Sequence, residues 1–198
     1  GDLKFLLSNE KVVKKTLLEM THYFHGAIAR MARMNAPVII GVNGTAGGGG
    51  FSLAITGDII FAVKEAKFTV AYTNAGLSPD GSSTYFLPRI VGLKRAKELM
   101  LTNRVFSAEE ALEMHIIDKI FDNCEELDNA LNNQALAFLK GPKNAIADVK
   151  KLLNVSFNNE LESQMDIEGI KISNNAESKD GIEGLKAFKD KRKPNFGQ

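Results

Sequence analysis

The 198-residue chain is poor in most things that would tie it to a compartment or a charged partner. It has one cysteine, Cys124, so no disulfide can close within it, and a reducing, cytoplasmic setting is expected. Two acids, Glu125 and Glu126, follow that cysteine and disfavour its thiolate, so no nucleophilic role is expected there. The net charge is only +1. No long-range field therefore draws the chain to nucleic acid or to a membrane surface, and neither partner is expected. No apolar run approaches the roughly 20 residues that span a bilayer. Secretory signals are not visible either, although the chain opens on "GDLKFLL" without an initiator methionine. The three histidines, His22, His25 and His115, are not spaced as a metal site; His22 and His25 read as surface or interface positions on a helix. Repeats are absent. What is present, 44% hydrophobic and 25% charged residues, is ordinary globular composition with chain enough for one sizeable core.

Apolar residues Leu17, Met20, Phe24, Ile28 and Met31 recur every three or four positions and predict a long helix over 9–34, with Ser8 or Asn9 as its cap. "PVIIGVNG" after it is a short β-branched run bounded by Pro and Gly, and so a buried strand. Four consecutive glycines, Gly47 to Gly50, lead into a short helix over 51–56. Strands are predicted over 58–63 and 66–72, then a Gly/Ser/Pro-rich loop over 74–83. The helix "STYFLPRIVG" is expected to break at Pro88 and end at Gly92, with a second helix in "LKRAKELMLT". "SAEEALEMH" begins with a capping box, Ser107 to Glu110. "IIDKIF" reads as a last short strand, followed by helices over 125–140, 142–153, 157–174 and 182–192.

The glycine run is the feature that most needs a reason. Backbone N–H groups at a helix start lack intrahelical partners and carry the positive end of the dipole. Without side chains, a ligand can approach them closely. A phosphate site would want Gly-Lys-Ser/Thr or the spaced dinucleotide glycines, and "GTAGGGGFSLA" has neither. Two readings remain: an oxyanion hole for a thioester enolate, or a tight turn that packs the helix close to the sheet.

"APVIIGVNGTAGGGGFSLAITGDIIFAVKEAKF" resembles the core of the crotonase (enoyl-CoA hydratase/isomerase) superfamily. The likeness continues through "GLSPDGSSTYFLPRIVG", "LTNRVFSAEEALEMHIIDKIF" and "GIEGLKAFKDKRKPNF", and so runs over nearly the whole chain. It implies an α/β fold: a crotonase-like spiral of ββα turns over residues 1–121, short of its N-terminal strands, and a helical trimerisation region over 122–198. It implies a homotrimer or hexamer, an acyl-CoA thioester as substrate, and no cofactor beyond the coenzyme A carried by that substrate. Two N–H groups make the family's oxyanion hole, and the matching positions here are Gly49 and, in "GDLKFL", Gly1. The family has further strands before that motif, so a preceding segment is expected. Leu3, Phe188 and Lys191 match positions that contact coenzyme A.

Hydratases of the superfamily position water with two glutamates, at positions matching Ser52 and Tyr72. Neither is a carboxylate, which argues against hydration by that route. Asp80 remains, in a loop that the resemblance sets above the thioester, where several isomerases and a dehalogenase also carry Asp. The isomerases of phenylacetyl-CoA degradation are similar, with a comparable "PD" loop and "LPR" helix. The implied activity is a 1,3-proton shift through an enolate, with Asp80 as the shuttling base and Ser52, Tyr72 and Phe51 shaping the acyl pocket. Read without the family, Asp80 could simply cap the helix after it. The alternatives are an enoyl-CoA hydratase with a non-standard acid/base, or a non-catalytic binding protein of the same fold.

Overall fold

The computed structural model describes residues 3–7 and 10–197. Contacts between Cα atoms divide the chain into two compact units, Gly1–Ala32 with Ile39–Asn129, and Arg33–Val38 with Ala130–Gln198. The first unit opens with α1 (Leu3–Leu7), a 3-10 turn (Glu10–Val12) and α2 (Val13–Arg33). The long helix thus begins at Val13 rather than at residue 9, and the expected caps Ser8 and Asn9 lie outside the described residues. Its apolar stripe is the protected face: Leu17, Met20, Phe24 and Met31 are half-buried and Ile28 is buried.

From there the chain alternates between two small sheets. β1 (Ile39–Val42), β3 (Ile59–Val63) and β6 (Lys119–Phe121) form a parallel sheet in the order β1-β3-β6. β2 (Thr45–Gly47), β4 (Lys67–Thr69) and β5 (Phe106–Ser107) form the second, with β2 parallel and β5 antiparallel to β4. Ile39 pairs with Ile59 and Val42 with Ala62. β3 is central and buried at four of its five positions, which is why "IIFAV" is a continuous apolar run rather than an alternating one. Each sheet-to-sheet crossing is followed by a helix: β1, β2, then α3 (Gly49–Ala54); β3, β4, then α4 (Ser83–Thr102). These are two ββα turns. Phe51 of α3, Phe68 of β4 and Phe106 of β5 meet at the core, with ring centroids 6.0 Å apart for Phe51–Phe106 and 5.6 Å for Phe68–Phe106. All three are almost fully buried, a contribution of about 1.5–3 kcal/mol each.

α3 begins two residues earlier than predicted, so Gly49 and Gly50 are helical and Gly47 is the last residue of a strand. β4 stops at Thr69 rather than residue 72, and the left-handed Ala71, at φ 60°, turns the chain before Tyr72. α4 does not break at Pro88, which lies inside it; it breaks at Gly92, whose φ of 76° and ψ of 156° are not helical. Pro88 removes only the bond to the Thr84 carbonyl, and Thr84 is exposed, so water can serve that oxygen. α5 (Ala108–Glu113) carries the predicted capping box, with Glu110 N–H donating to Ser107 Oγ at 3.2 Å and Ser107 N–H to Glu110 Oε2 at 3.3 Å.

The second unit is helical. It takes up the chain from Ala130, within α6 (Cys124–Leu139), and continues through α7 (Lys143–Ser156), α8 (Leu161–Glu177) and α9 (Lys179–Lys189). Asp148 ties α7 to α8, accepting from Lys171 Nζ at 2.9 Å and Asn175 Nδ2 at 3.0 Å. Lys171 holds the Asp148 carboxyl below the ordinary carboxylate range. Lys150 is buried and donates to the Ala36 carbonyl at 3.2 Å, so the 33–38 segment belongs to this unit. After α9 the tail folds back: Arg192 grips Glu183 at 2.6 and 2.9 Å, and Asn195 and Gly197 N–H donate to Glu183 and Asp180, both at 2.8 Å. No helix among the described residues is long and apolar enough to cross a membrane.

Candidate active site

The glycine run divides its labour. Gly47 packs edge-on to β4, where an added Cβ would sit 3.3 Å from Thr69 Cγ2. Gly48 caps α3 at φ 53° and ψ −123°, a conformation that L side chains avoid. Its N–H donates to Thr69 O at 3.3 Å, and its carbonyl accepts from Ser52 N–H at 3.0 Å. Gly49 and Gly50 make the first turn of α3, so by position their N–H groups have no carbonyl within the helix to reach. A Cβ at Gly50 would meet open space. Packing therefore accounts for Gly47 and backbone conformation for Gly48, but neither accounts for Gly50.

Ser52, one turn into α3, is fully buried. Its hydroxyl lies 2.9 Å from Tyr72 Oη and 3.0 Å from the Asp80 carbonyl. Tyr72 O–H donates to Asp80 Oδ1 at 2.5 Å. Tyr72 has its one proton on Asp80, and the one Ser52 proton lies between Tyr72 Oη and the Asp80 carbonyl, which can only accept, so both hydroxyls converge on Asp80. Two further donors hold the Asp80 main chain: Ser83 Oγ at 2.9 Å and Ser83 N–H at 3.2 Å both reach its carbonyl. Burial and the Asp80 bond push the Tyr72 phenol up to about 12, against a lesser opposing bond from Ser52. Tyr72 is thus a fixed donor across the physiological range.

The cap expected as an alternative for Asp80 is not what its carboxylate does. The residue at the helix N-cap is Ser82, without a side-chain cap bond, and the carboxylate spans Tyr72 and His25. His25 is the residue that the sequence did not single out for the site. Its Nε2 lies 3.6 Å from Asp80 Oδ2 and accepts from Gly81 N–H at 3.2 Å. Nothing near His25 in the chain signals this, since 56 residues separate it from Gly81.

The remaining predicted residues fall elsewhere. The Phe51 ring is turned into the core against Phe106. Gly1 lies outside the described residues, and Leu3 opens α1. Phe188, 86% exposed on α9, and Lys191, exposed just after it, belong to the helical unit. A shallow cleft of about 560 Å³ runs along the start of α2, lined by Lys11, Lys14, Lys15, Leu18, His22 and Tyr23, and none of the Asp80 cluster lines it. Among the described residues no three His, Cys, Asp or Glu side chains are grouped to hold a metal ion.

The family model described as enoyl-CoA hydratase/isomerase matches residues 1–198. The chain is 35% identical over 179 residues to the 1,2-epoxyphenylacetyl-CoA isomerase of Escherichia coli (strain K12), covering 90% of this chain and 68% of that protein. It is 36% identical over 160 residues to a probable enoyl-CoA hydratase of Rhodobacter capsulatus, covering 81% of this chain and 62% of that one. It thus spans about two thirds of the length of these curated relatives. Among solved structures, an enoyl-CoA hydratase from Polaromonas sp. JS666 superposes with a TM-score of 0.92 at 29% identity, over 98% of this chain and 76% of that one.

Proposed function

The chain belongs to the enoyl-CoA hydratase/isomerase family of enzymes, with the crotonase fold, and from that premise we propose that it is an acyl-CoA isomerase. It moves a double bond by a 1,3-proton shift through a thioester enolate. The observation that carries this reading is the identity of the groups around Asp80. It is the one carboxylate in the Ser52–Tyr72–Asp80 chain, and its two neighbours are hydroxyls bonded to each other at 2.9 Å. A phenol pushed up to about 12 does not take a proton from water near neutral pH. A lone carboxylate can remove a proton from one carbon and return it to another.

In this mechanism Gly49 N–H, with a second donor at the position of Gly1, polarises the thioester carbonyl. The Tyr72 bond occupies Oδ1 and leaves Oδ2 as the basic oxygen. Oδ2 takes the proton from the carbon next to the carbonyl. The resulting enolate is held by the N–H donors, and Oδ2 delivers a proton two carbons further along the acyl chain. Nothing in this sequence of steps needs a second carboxylate.

The test is turnover of Δ3- and Δ2-enoyl-CoA thioesters by the wild type and by Asp80→Asn. Double-bond migration by the wild type, with loss of about 10²–10⁴ in kcat and unchanged thioester affinity in the variant, is expected. Incorporation of ¹⁸O from labelled water into the product would replace this reading with a hydratase. Activity unaltered in Asp80→Asn would remove the base from the scheme.

A further inference from the structure

We propose that His25 opens the Asp80 proton to solvent, so that the isomerase exchanges the migrating proton with water instead of conserving it. This rests on the isomerase reading above. Four observations meet at one place. Oδ1 of Asp80 is occupied by the Tyr72 hydroxyl, so the oxygen that works is Oδ2. His25 Nε2 lies 3.6 Å from that oxygen. Gly81 N–H donates to the same Nε2, which therefore carries a lone pair, and the resting imidazole is neutral with its proton on Nδ1. The imidazole side chain is 51% exposed, while that of Asp80 is 29% exposed. His25 is thus the better hydrated of the two, next to a carboxylate whose other oxygen is engaged.

This approach of α2 to the loop is built into the chain. Gly81 has φ 59°, and a Cβ there would lie 2.5 Å from Phe24 Cε1 and 2.8 Å from Ser52 Cβ. A side chain at Gly81 would collide with the Phe24 ring and with Ser52, so the loop could not sit this close to the α2 turn that carries His25. The glycine lets Phe24 wedge against the loop and bring the next residue, His25, alongside Asp80.

The steps balance. The substrate C–H bond breaks, an O–H bond forms at Oδ2, and the enolate carries the negative charge. The carboxyl proton then passes to the Nε2 lone pair, giving an imidazolium beside a carboxylate. That charge-assisted pair, closing from 3.6 Å, displaces the neutral bond from Gly81. The imidazolium exchanges its proton with water, which an imidazole does readily near neutral pH. A proton returns through Nε2 to Oδ2 and then to the distal carbon, so no net proton is gained or lost. His25 touches no reacting carbon. It acts through Asp80, as a positioning residue and a proton outlet.

Hex-3-enoyl-CoA carrying two deuteriums on the carbon next to the carbonyl is the probe. It is turned over in ordinary water, and the deuterium reaching the distal carbon is measured by mass and NMR. The wild type is expected to lose most of the label. His25→Gln keeps an acceptor for Gly81 N–H but cannot take up a proton. It is expected to raise the transferred deuterium at least about threefold while turnover stays within about tenfold, since Asp80 still shuttles alone. His25→Asn, compared at matched melting temperature, guards against a folding defect in the first variant. Unchanged label transfer in both variants, with an active wild type and a dead Asp80→Asn, overturns the outlet and leaves the isomerase reading standing. A wild type that moves no double bond overturns both.

Discussion

At the residue scale, each glycine of the run and each member of the hydroxyl chain makes a separable claim. Gly48→Ala forces a side chain into φ 53° and is expected to lower stability by about 1–3 kcal/mol. Gly50→Ala meets open space, and its helical position gains about 0.5–1 kcal/mol from the substitution. If Gly50 is bare because a thioester approaches it, Gly50→Ala loses turnover in a protein that unfolds no earlier in denaturant. Equal loss of stability in both variants would contradict that division. Tyr72 makes a prediction in alkali. Its pKa is raised in the folded state, so its contribution to stability is complete below about pH 10 and lost as pH rises through about 12. Wild type minus Tyr72→Phe should show a tyrosinate absorbance step near pH 12, and the variant should lack that part of the alkaline fall in melting temperature. A step at the ordinary phenol value would mean that the Asp80 bond is not made.

Elements differ in how much of themselves they write into their own residues. The capping box of α5 was legible because Ser107 and Glu110 are three positions apart, and Ser107→Ala should cost about 1 kcal/mol of stability. The stripe on α2 was legible because burial repeats with the helical period. β2 and β5 were not. "TAG" has no apolar alternation of its own and becomes a strand only by pairing with Lys67–Thr69, and "FS" is two residues long. Pro88 misled because exposure, not residue type, decides whether a lost helix bond matters. At the site, Asp80 could be singled out through its motif, whereas its partner His25 arrives from α2 by tertiary packing alone. The C-terminal tail is tied to α9 by Glu183, whose carboxyl is lowered to about 2, first by the Arg192 bond and then by Asn195 N–H. A lowered carboxyl contributes above its ordinary value and loses that contribution as pH falls through about 2. The tie should therefore outlast mild acid, and Glu183→Gln should speed amide exchange at residues 195–197 at neutral pH. Exchange identical to the wild type would show that the tail is held by other contacts.

At the scale of the whole molecule, the helical unit leaves much apolar surface uncovered. Leu153, Phe157, Leu161 and Ile172 are 64%, 71%, 67% and 71% exposed. Surfaces of that kind on a folded chain mark association, and we propose a homotrimer, or two trimers paired, with these helices at the contacts. Light scattering should return three or six chain masses, and Phe157→Ser with Leu161→Asp should return one; a wild-type monomer would contradict the proposal. One bond described above also bears on how the chain is made. Lys150 reaches the Ala36 carbonyl across 114 residues, and the 33–38 segment has its neighbours in 130–198. Residues 33–36 stay exposed in the folded chain, so late synthesis supplies an anchor and not a cover: on the ribosome this segment emerges long before the Lys150 ammonium that fixes its Ala36 carbonyl. Nascent chains stalled before residue 130 should be cut by protease within 33–38, and chains released at full length should resist.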